Sequence, residues 1–277
     1  MLICVAGKND IAVECTEFLL TEQIASEKNL VTCSNDTDKG VDSFQRSFKK
    51  YCRERNLSEA TLDYLSSAED LLFISLEYDK IIPAHRFTSK ALFNVHFSLL
   101  PKYKGFYTSA WPILNGEPTS GVTLHEIDQG IDTGDIIDQI EFEISQEDNC
   151  RDLYMKYIHY GILVFKKNIL NLLSGTYAAR EQAADGSSYY SRDSINYADL
   201  RIDLRKTAEQ IRNQIRAYNF KEYQIPKVFG FEITRADIVS GKRSKEKPGT
   251  ILKQDDGYID IATIDYDLRL HKANNTQ

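Results

Sequence analysis

An α/β fold with a mainly parallel sheet and a smaller C-terminal appendage is the architecture this sequence predicts, and three observations predict it. Up to about residue 180, short apolar runs alternate with amphipathic stretches at helical spacing. The chain opens with an apolar run, a glycine-containing turn and a helical pattern, the way Rossmann-like nucleotide-binding domains begin. Beyond that point the sequence turns small and polar over Ala178–Ser188, and the charge balance changes sign. Residues 200–277 hold 15 Lys/Arg against 11 Asp/Glu, whereas the whole 277-residue chain carries a net charge of −7. The expected domains are therefore residues 1–180 and residues 181–277, the latter with a helix and a β-hairpin.

Each element follows from local pattern. Leu2–Ala6 is a continuous apolar run stopped by Gly7, as in a strand buried on both faces. Ile11, Cys15, Phe18 and Leu19 then predict a helix over 11–20. No G-x-G-x-x-G fingerprint accompanies this turn. Leu30–Cys33 predicts the second strand, and Val41, Phe44, Phe48 and Tyr51 predict a helix over 41–51. Leu71–Leu76, Ala91–Phe97, Gly121–Ile127 and Ile136–Ile144 are the next strands. The longest helical pattern runs from Leu153 to Leu173 and is stopped by Gly175. In the C-terminal segment Leu204–Ala217 predicts a helix. Val228–Ile238 and Thr250–Ile264 predict strands, joined by a Gly241–Gly249 segment with four basic residues.

Composition excludes several classes. No window approaches the roughly 18 apolar residues of a membrane-spanning helix. The N-terminus lacks the basic flank and long apolar core of a signal peptide. The five cysteines, Cys4, Cys15, Cys33, Cys52 and Cys150, have no C-x-x-C spacing. They predict reduced thiols and a cytoplasmic protein, with neither a disulfide framework nor a bound metal. The acidic balance argues against a general nucleic-acid binder.

The chemistry concentrates in two stretches. In Phe93–Gly105, Asn94 and His96 are two residues apart on a strand and share a face, while Phe93, Val95 and Phe97 take the other. The C-terminal end of such a strand is where open α/β sheets bind ligands. In Gly121–Ile137, three aspartates (Asp128, Asp132 and Asp135) sit in a glycine-punctuated loop between two strands. A carboxylate beside a histidine fixes its tautomer and raises its pKa, as acid–base chemistry requires. His125, within a Thr-Leu-His-Glu-Ile strand, reads as structural. His85 and His159 read as a loop and a helix-face residue, and Trp111 as core packing or a cleft wall.

These residues carry a family resemblance. Asn94-x-His96, Ser98-Leu99-Leu100-Pro101-x-Tyr103-x-Gly105, Gly121-Val122-Thr123-x-His125 and Asp132-x-Gly134-x-Ile136-Ile137 resemble the formyltransferase family, which uses N10-formyltetrahydrofolate. The resemblance is strong over roughly residues 70–145 and weaker over the first 70. A narrower likeness lies in Gly7-Lys8-Asn9-Asp10-Ile11-Ala12, in Ser75-x-x-Tyr78-x-x-Ile81-Ile82-Pro83 and in the run from Ile215 to Gln224. Those segments look like the nucleotide-sugar N-formyltransferases, in particular those acting on dTDP-3-amino-3,6-dideoxyhexoses.

The resemblance implies that residues 1–180 form the catalytic domain, with Asn94, His96 and Asp132 as the catalytic set. It assigns Asp135, Ile136, Pro83 and Arg86 to the folate co-substrate. A diphosphate needs cations, for which Lys8, Lys80, Lys102, Lys104 and Arg216 are candidates, and Asn9 lies near the expected sugar. Thymine is a flat ring that one of Tyr218, Phe220 and Tyr223 can stack on; domain-junction packing is the competing reading for each. The implied role is in cell-surface polysaccharide (O-antigen) sugar biosynthesis. The expected assembly is a homodimer paired through residues 226–265, with apolar faces from Phe229, Phe231, Ile233, Ile251, Ile259 and Ile261. The alternatives are a dTDP-4-amino-4,6-dideoxyglucose acceptor, methionyl-tRNA formylation, formyltetrahydrofolate hydrolysis and a catalytically silent nucleotide-sugar or folate-binding module.

Overall fold

The computed structural model describes residues 1–239 and 241–273. In chain order its first elements are β1 (Leu2–Gly7), α1 (Asn9–Thr21), β2 (Leu30–Ser34), α2 (Phe48–Glu54), β3 (Ser58–Glu59) and α3 (Leu62–Ser66). There follow β4 (Leu71–Leu76), β5 (Leu92–His96), β6 (Lys104–Gly105), α4 (Trp111–Leu114), β7 (Thr119–Glu126), β8 (Ile136–Glu143) and α5 (Cys150–Ser174). The last are β9 (Tyr189–Tyr190), α6 (Ala208–Tyr218), β10 (Lys227–Val228), β11 (Phe231–Ile238), β12 (Ile251–Gln254), β13 (Tyr258–Ile261) and β14 (Leu268–Lys272). The chain divides into two compact units. The first comprises residues 1–105, 121–142 and 156–189; the second comprises residues 106–120, 143–155 and 190–277.

The first unit is built on a seven-stranded sheet of order β3-β2-β1-β4-β5-β7-β8. Strands β3, β2, β1, β4 and β5 run parallel, and β7 pairs antiparallel to β5. β1 and β4 are apolar almost throughout and buried on both faces, which is why their sequences show no alternation. Gly7 closes β1 because its Cα approaches the neighbouring strand: a Cβ there would lie 2.0 Å from the Leu76 carbonyl oxygen. The sequence therefore reads correctly as α/β with a mainly parallel sheet.

The second unit carries a five-stranded sheet of order β10-β11-β14-β13-β12 and the helix α6. Ala208, Ile211 and Ile215 of α6 pack on Ile233, Ile259, Ile261, Leu268 and Leu270. Ile233, Ile259 and Ile261, expected as pairing faces between two copies, thus form the core of their own unit. Phe229, Phe231 and Ile251 are exposed.

Where element boundaries differ from the sequence reading, short polar side chains account for it. The helix expected over 41–51 begins only at Phe48, because Asp38 accepts from Gly40 N–H, Ser47 Oγ and Lys49 N–H and holds the preceding chain in turns. Ser47 then caps the helix through Lys50 N–H, at 3.0 Å. The strand expected over 250–264 is two strands, since Asp255 Oδ1 accepts from the Gly257 and Tyr258 N–H groups and turns the chain. α6 starts at Ala208, fixed by a capping box between Thr207 and Gln210. β14, near the centre of the second sheet, has no counterpart in the sequence reading.

Gly7→Ala places a methyl group against a backbone oxygen that cannot retreat. It is expected to destabilise the protein by about 1–3 kcal/mol, read from the urea midpoint, with an unchanged midpoint refuting the close approach.

Candidate active site

β5 ends at His96, on the C-terminal edge of the parallel strands. Asn94 and His96 project from one face of it, as their spacing requires. His96 is 8% exposed. The third residue comes from the β7–β8 connection, which folds back on the end of β7: Glu126 N–H donates to the Asp135 carbonyl at 2.9 Å. Gly134 permits that return, since a Cβ there would lie 1.9 Å from the Glu126 carbonyl oxygen. Within this loop Asp132 adopts a left-handed backbone, φ 54°. Few non-glycine residues do so, and those that do concentrate at functional sites.

The three side chains converge. Asp132 Oδ2 accepts from Gly105 N–H at 2.9 Å and lies 3.5 Å from His96 Nδ1. Asp132 Oδ1 accepts from Asn94 Nδ2 at 3.4 Å. His96 Nε2 meets the Tyr103 carbonyl at 2.8 Å, so this nitrogen carries the proton and donates it, leaving Nδ1 facing the carboxylate. Burial lowers the His96 pKa from its ordinary 6.5, against the opposing pull of Asp132 and the Tyr103 hydrogen bond. The imidazole is neutral at pH 7. Burial acts to raise Asp132, but the His96 and His125 rings and the Gly105 N–H outweigh it and hold the carboxyl well below the usual range. A neutral base beside an ionised carboxylate results.

His125, read as structural, lies within the same cluster. Its Nδ1–H donates to the Glu126 carbonyl at 2.7 Å, and its Nε2 lies 3.1 Å from Asn94 Nδ2 and 3.6 Å from Asp132 Oδ1. His125 and Asn94 face each other across the antiparallel β5–β7 pair. That pairing register, not visible in the sequence, was the missing signal. Tyr103 and Gly105 act through backbone groups, which no side-chain motif can announce.

The other predicted residues lie in varied settings. Asp128 accepts from Gly130 N–H and Thr133 Oγ1 within its own loop. Asp135 is half-buried, and Ile136 is buried and bridged to Arg180. Pro83 is half-buried; Arg86 is exposed and paired with Asp63 at 3.0 Å. Lys80 pairs with Asp36 at 3.0 Å, and Lys104 Nζ donates to Ser187 Oγ at 3.2 Å. Lys102 is exposed on the loop after β5. Asn9 has φ 62° and donates to Glu77 Oε2 at 3.3 Å. None of these ion pairs and hydrogen bonds joins its residue to Asn94, His96 or Asp132.

Arg216, Tyr218, Phe220 and Tyr223 belong to the second unit. Arg216 is 9% exposed and donates to the Ser145 and Asp148 carbonyls and to Asn213 Oδ1 at 2.6, 2.8 and 2.9 Å, tying the 145–148 loop to α6. This guanidinium has a structural use where an anion contact was expected. Phe220 is buried against Tyr154 and Tyr223, Tyr218 is half-buried, and Tyr223 is 67% exposed. Trp111 stacks on Tyr190, with ring centroids 4.1 Å apart.

A neutral imidazole, an ionised carboxylate and an amide donor, grouped where β5 ends, form a candidate acid–base site. The chain belongs to the formyl transferase family: residues 15–166 match Formyl transferase and residues 194–276 match Formyl transferase, C-terminal domain. The sequence motifs anticipate that assignment. Among solved structures, the chain is similar to WlaRD, a sugar 3N-formyl transferase crystallised in the presence of dTDP and 5-N-formyl-THF. Identity is 42% over 99% of this chain and 98% of that one, with a TM-score of 0.92. It is also similar to the N-formyltransferase from Helicobacter canadensis in complex with folinic acid and dTDP-3-aminofucose, at 41% identity over 99% and 100% of the two chains and a TM-score of 0.91. Among curated proteins, the bifunctional polymyxin resistance protein ArnA of Wigglesworthia glossinidia brevipalpis is 32% identical over 69% of this chain but only 29% of its own length. Methionyl-tRNA formyltransferase of Alkaliphilus oremlandii is 28% identical over 95% and 88% of the two chains.

The pKa directions yield a direct test. In an NMR titration His96 is expected to protonate below 6.5. In Asp132→Asn, which removes the attraction favouring the imidazolium, it is expected to protonate lower still. A midpoint above 6.5 in the wild-type protein would contradict the burial argument.

Proposed function

We propose that this enzyme moves a formyl group from N10-formyltetrahydrofolate to the amine of a dTDP-linked amino-dideoxyhexose, with a 3-amino-3,6-dideoxy sugar as the favoured acceptor. One observation carries this reading: Asn94, His96 and Asp132 meet within a chain that matches WlaRD from end to end. The donor set fits the chemistry, since formyl transfer to an amine requires a base, a charge to support the conjugate acid and a donor for the oxyanion.

The co-substrate supplies an activated formyl carbon. His96 Nδ1 takes a proton as the amine attacks, and Asp132, 3.5 Å away, stabilises the imidazolium. As the carbon–nitrogen bond to the sugar forms, negative charge collects on the formyl oxygen. Asn94 Nδ2, oriented by His125, donates to that oxygen in place of its long contact to Asp132. A donor of this kind contributes about 3–4 kcal/mol. The bond to the folate nitrogen then breaks, and the proton held on His96 passes to that leaving group.

Asp135, Ile136, Pro83 and Arg86 are assigned to the folate side. Asn9, Lys80 and Lys102 are assigned to the nucleotide sugar, with Tyr218, Phe220 or Tyr223 as base platform and Tyr223 the most exposed of the three rings. Residues 1–180 are assigned the catalysis. The product serves cell-surface polysaccharide (O-antigen) synthesis in the cytoplasm; no helix among the described residues is long and apolar enough to cross a membrane.

A panel of dTDP-3-amino sugars, dTDP-4-amino sugars and methionyl-tRNA, each assayed with N10-formyltetrahydrofolate, tests the reading. Turnover is expected with a dTDP-3-amino sugar; formylation of methionyl-tRNA alone would overturn it. On the accepted substrate, His96→Asn should lower kcat at least about a hundredfold with the fold intact.

Two copies are proposed to pair through the 226–265 strands, where Phe229, Phe231, Ile251 and Leu252 are exposed. Phe231→Glu should shift sedimentation from dimer to monomer. A dimer that survives both this change and Ile251→Glu places the interface elsewhere.

A further inference from the structure

Asp132 is held at its side chain by Gly105 and at its main chain by a residue that the catalytic motifs do not include. The Gln182 amide, from the polar stretch after α5, donates one Nε2 hydrogen to the Asp132 carbonyl at 2.9 Å and the other to the Gly134 carbonyl at 2.8 Å. Two residues earlier, Arg180 exchanges backbone hydrogen bonds with Ile136, its N–H donating at 2.9 Å and its carbonyl accepting at 2.8 Å. The segment 180–182 therefore runs along the start of β8 and aims Gln182 back at the loop before it.

This matters because the Asp132 backbone is left-handed. Such a conformation in a non-glycine residue is maintained at a cost of about 1–3 kcal/mol by whatever surrounds it. Within the loop itself, Thr133 and Gly130 bond to Asp128, and Asp132 receives no hydrogen bond from that turn. Gln182 supplies two bonds spanning Asp132 to Gly134. It does so while its own Oε1 is buried with no partner. An unmatched buried acceptor is unfavourable, and such exceptions call for an explanation. The side chain is oriented by what its donors hold.

We propose that Gln182 is a positioning residue for the reaction, a two-pronged clamp that fixes the Asp132 backbone so that its carboxylate faces His96 Nδ1. It touches neither reacting group. Its effect passes through the Asp132–His96 distance, to which acid–base catalysis is steeply sensitive.

The kinetic part rests on the formyl-transfer reading; the electrostatic part does not. Gln182→Met keeps the length and bulk of the side chain and removes both donors, and Gln182→Ala removes the side chain altogether. In each, the His96 midpoint measured by NMR should move to lower pH than in wild type, because a displaced carboxylate supports the imidazolium less. On the accepted amino sugar, kcat should fall about tenfold or more, with KM within about twofold and the acid limb of kcat/KM shifted the same way. In an Asp132→Asn background, Gln182→Met should change little, as coupled residues do. A purely structural role predicts a lower melting temperature with an unmoved His96 midpoint, and that result in Gln182→Met overturns the proposal. A shifted midpoint in a protein that formylates no amino sugar leaves the clamp standing and removes the acceptor assignment.

Discussion

The contact between Asp132 and His96 is the constraint to which the rest of the first unit answers. A carboxylate that is 13% exposed and an imidazole that is 9% exposed must face each other at 3.5 Å. No single element can bring them there. His96 ends β5, while Asp132 sits beyond β7, a strand that runs against β5 and whose last residue, Glu126, lies opposite Phe93 near the start of β5. The antiparallel pairing sets His125 opposite Asn94, and the loop after β7 turns back to bring Asp132 against His96.

Much of this was legible. Asn94 and His96 declare a shared face by spacing alone, and the aspartate-rich, glycine-punctuated loop declares a polar turn between strands. What the residues left open was the choice among Asp128, Asp132 and Asp135. Backbone geometry separates them: Asp128 is occupied by Gly130 and Thr133, whereas Asp132 meets Gly105, Asn94 and His96. Nothing in residue type or period encodes that difference. It depends on a left-handed backbone and on a return path that a Cβ at position 134 would block.

Recognition across strands and through the backbone was illegible for a related reason. His125 reads as one polar residue in an apolar strand until register places it opposite Asn94. Gln182 falls in a segment whose small, polar composition reads as a domain boundary, because a clamp made of one amide and two carbonyls leaves no periodic trace. In the second unit, Ile233, Ile259 and Ile261 alternate as any sheet face does. Only the packing of α6 tells that this face is covered from within the unit, leaving Phe231 and Ile251 on the outside.

The ionisation states of the two central groups divide the labour between them. Asp132 is held so far below the usual carboxylate range that it is a poor resting place for a proton near neutrality. His96, lowered by burial yet still drawn upward by that same carboxylate, is the group able to accept one and to release it again. Both groups are shifted downward from ordinary values that already differ, so the carboxyl stays ionised where the imidazole can still take up a proton. In the proposed transfer, the proton leaving the attacking amine goes to His96 Nδ1, since Nε2 already donates to Tyr103. Asp132 contributes a fixed negative charge beside that nitrogen. Because the charge acts by distance and direction, its usefulness in the proposed transfer depends on the groups that hold it, the Gly105 N–H at its carboxylate and the Gln182 amide at its backbone.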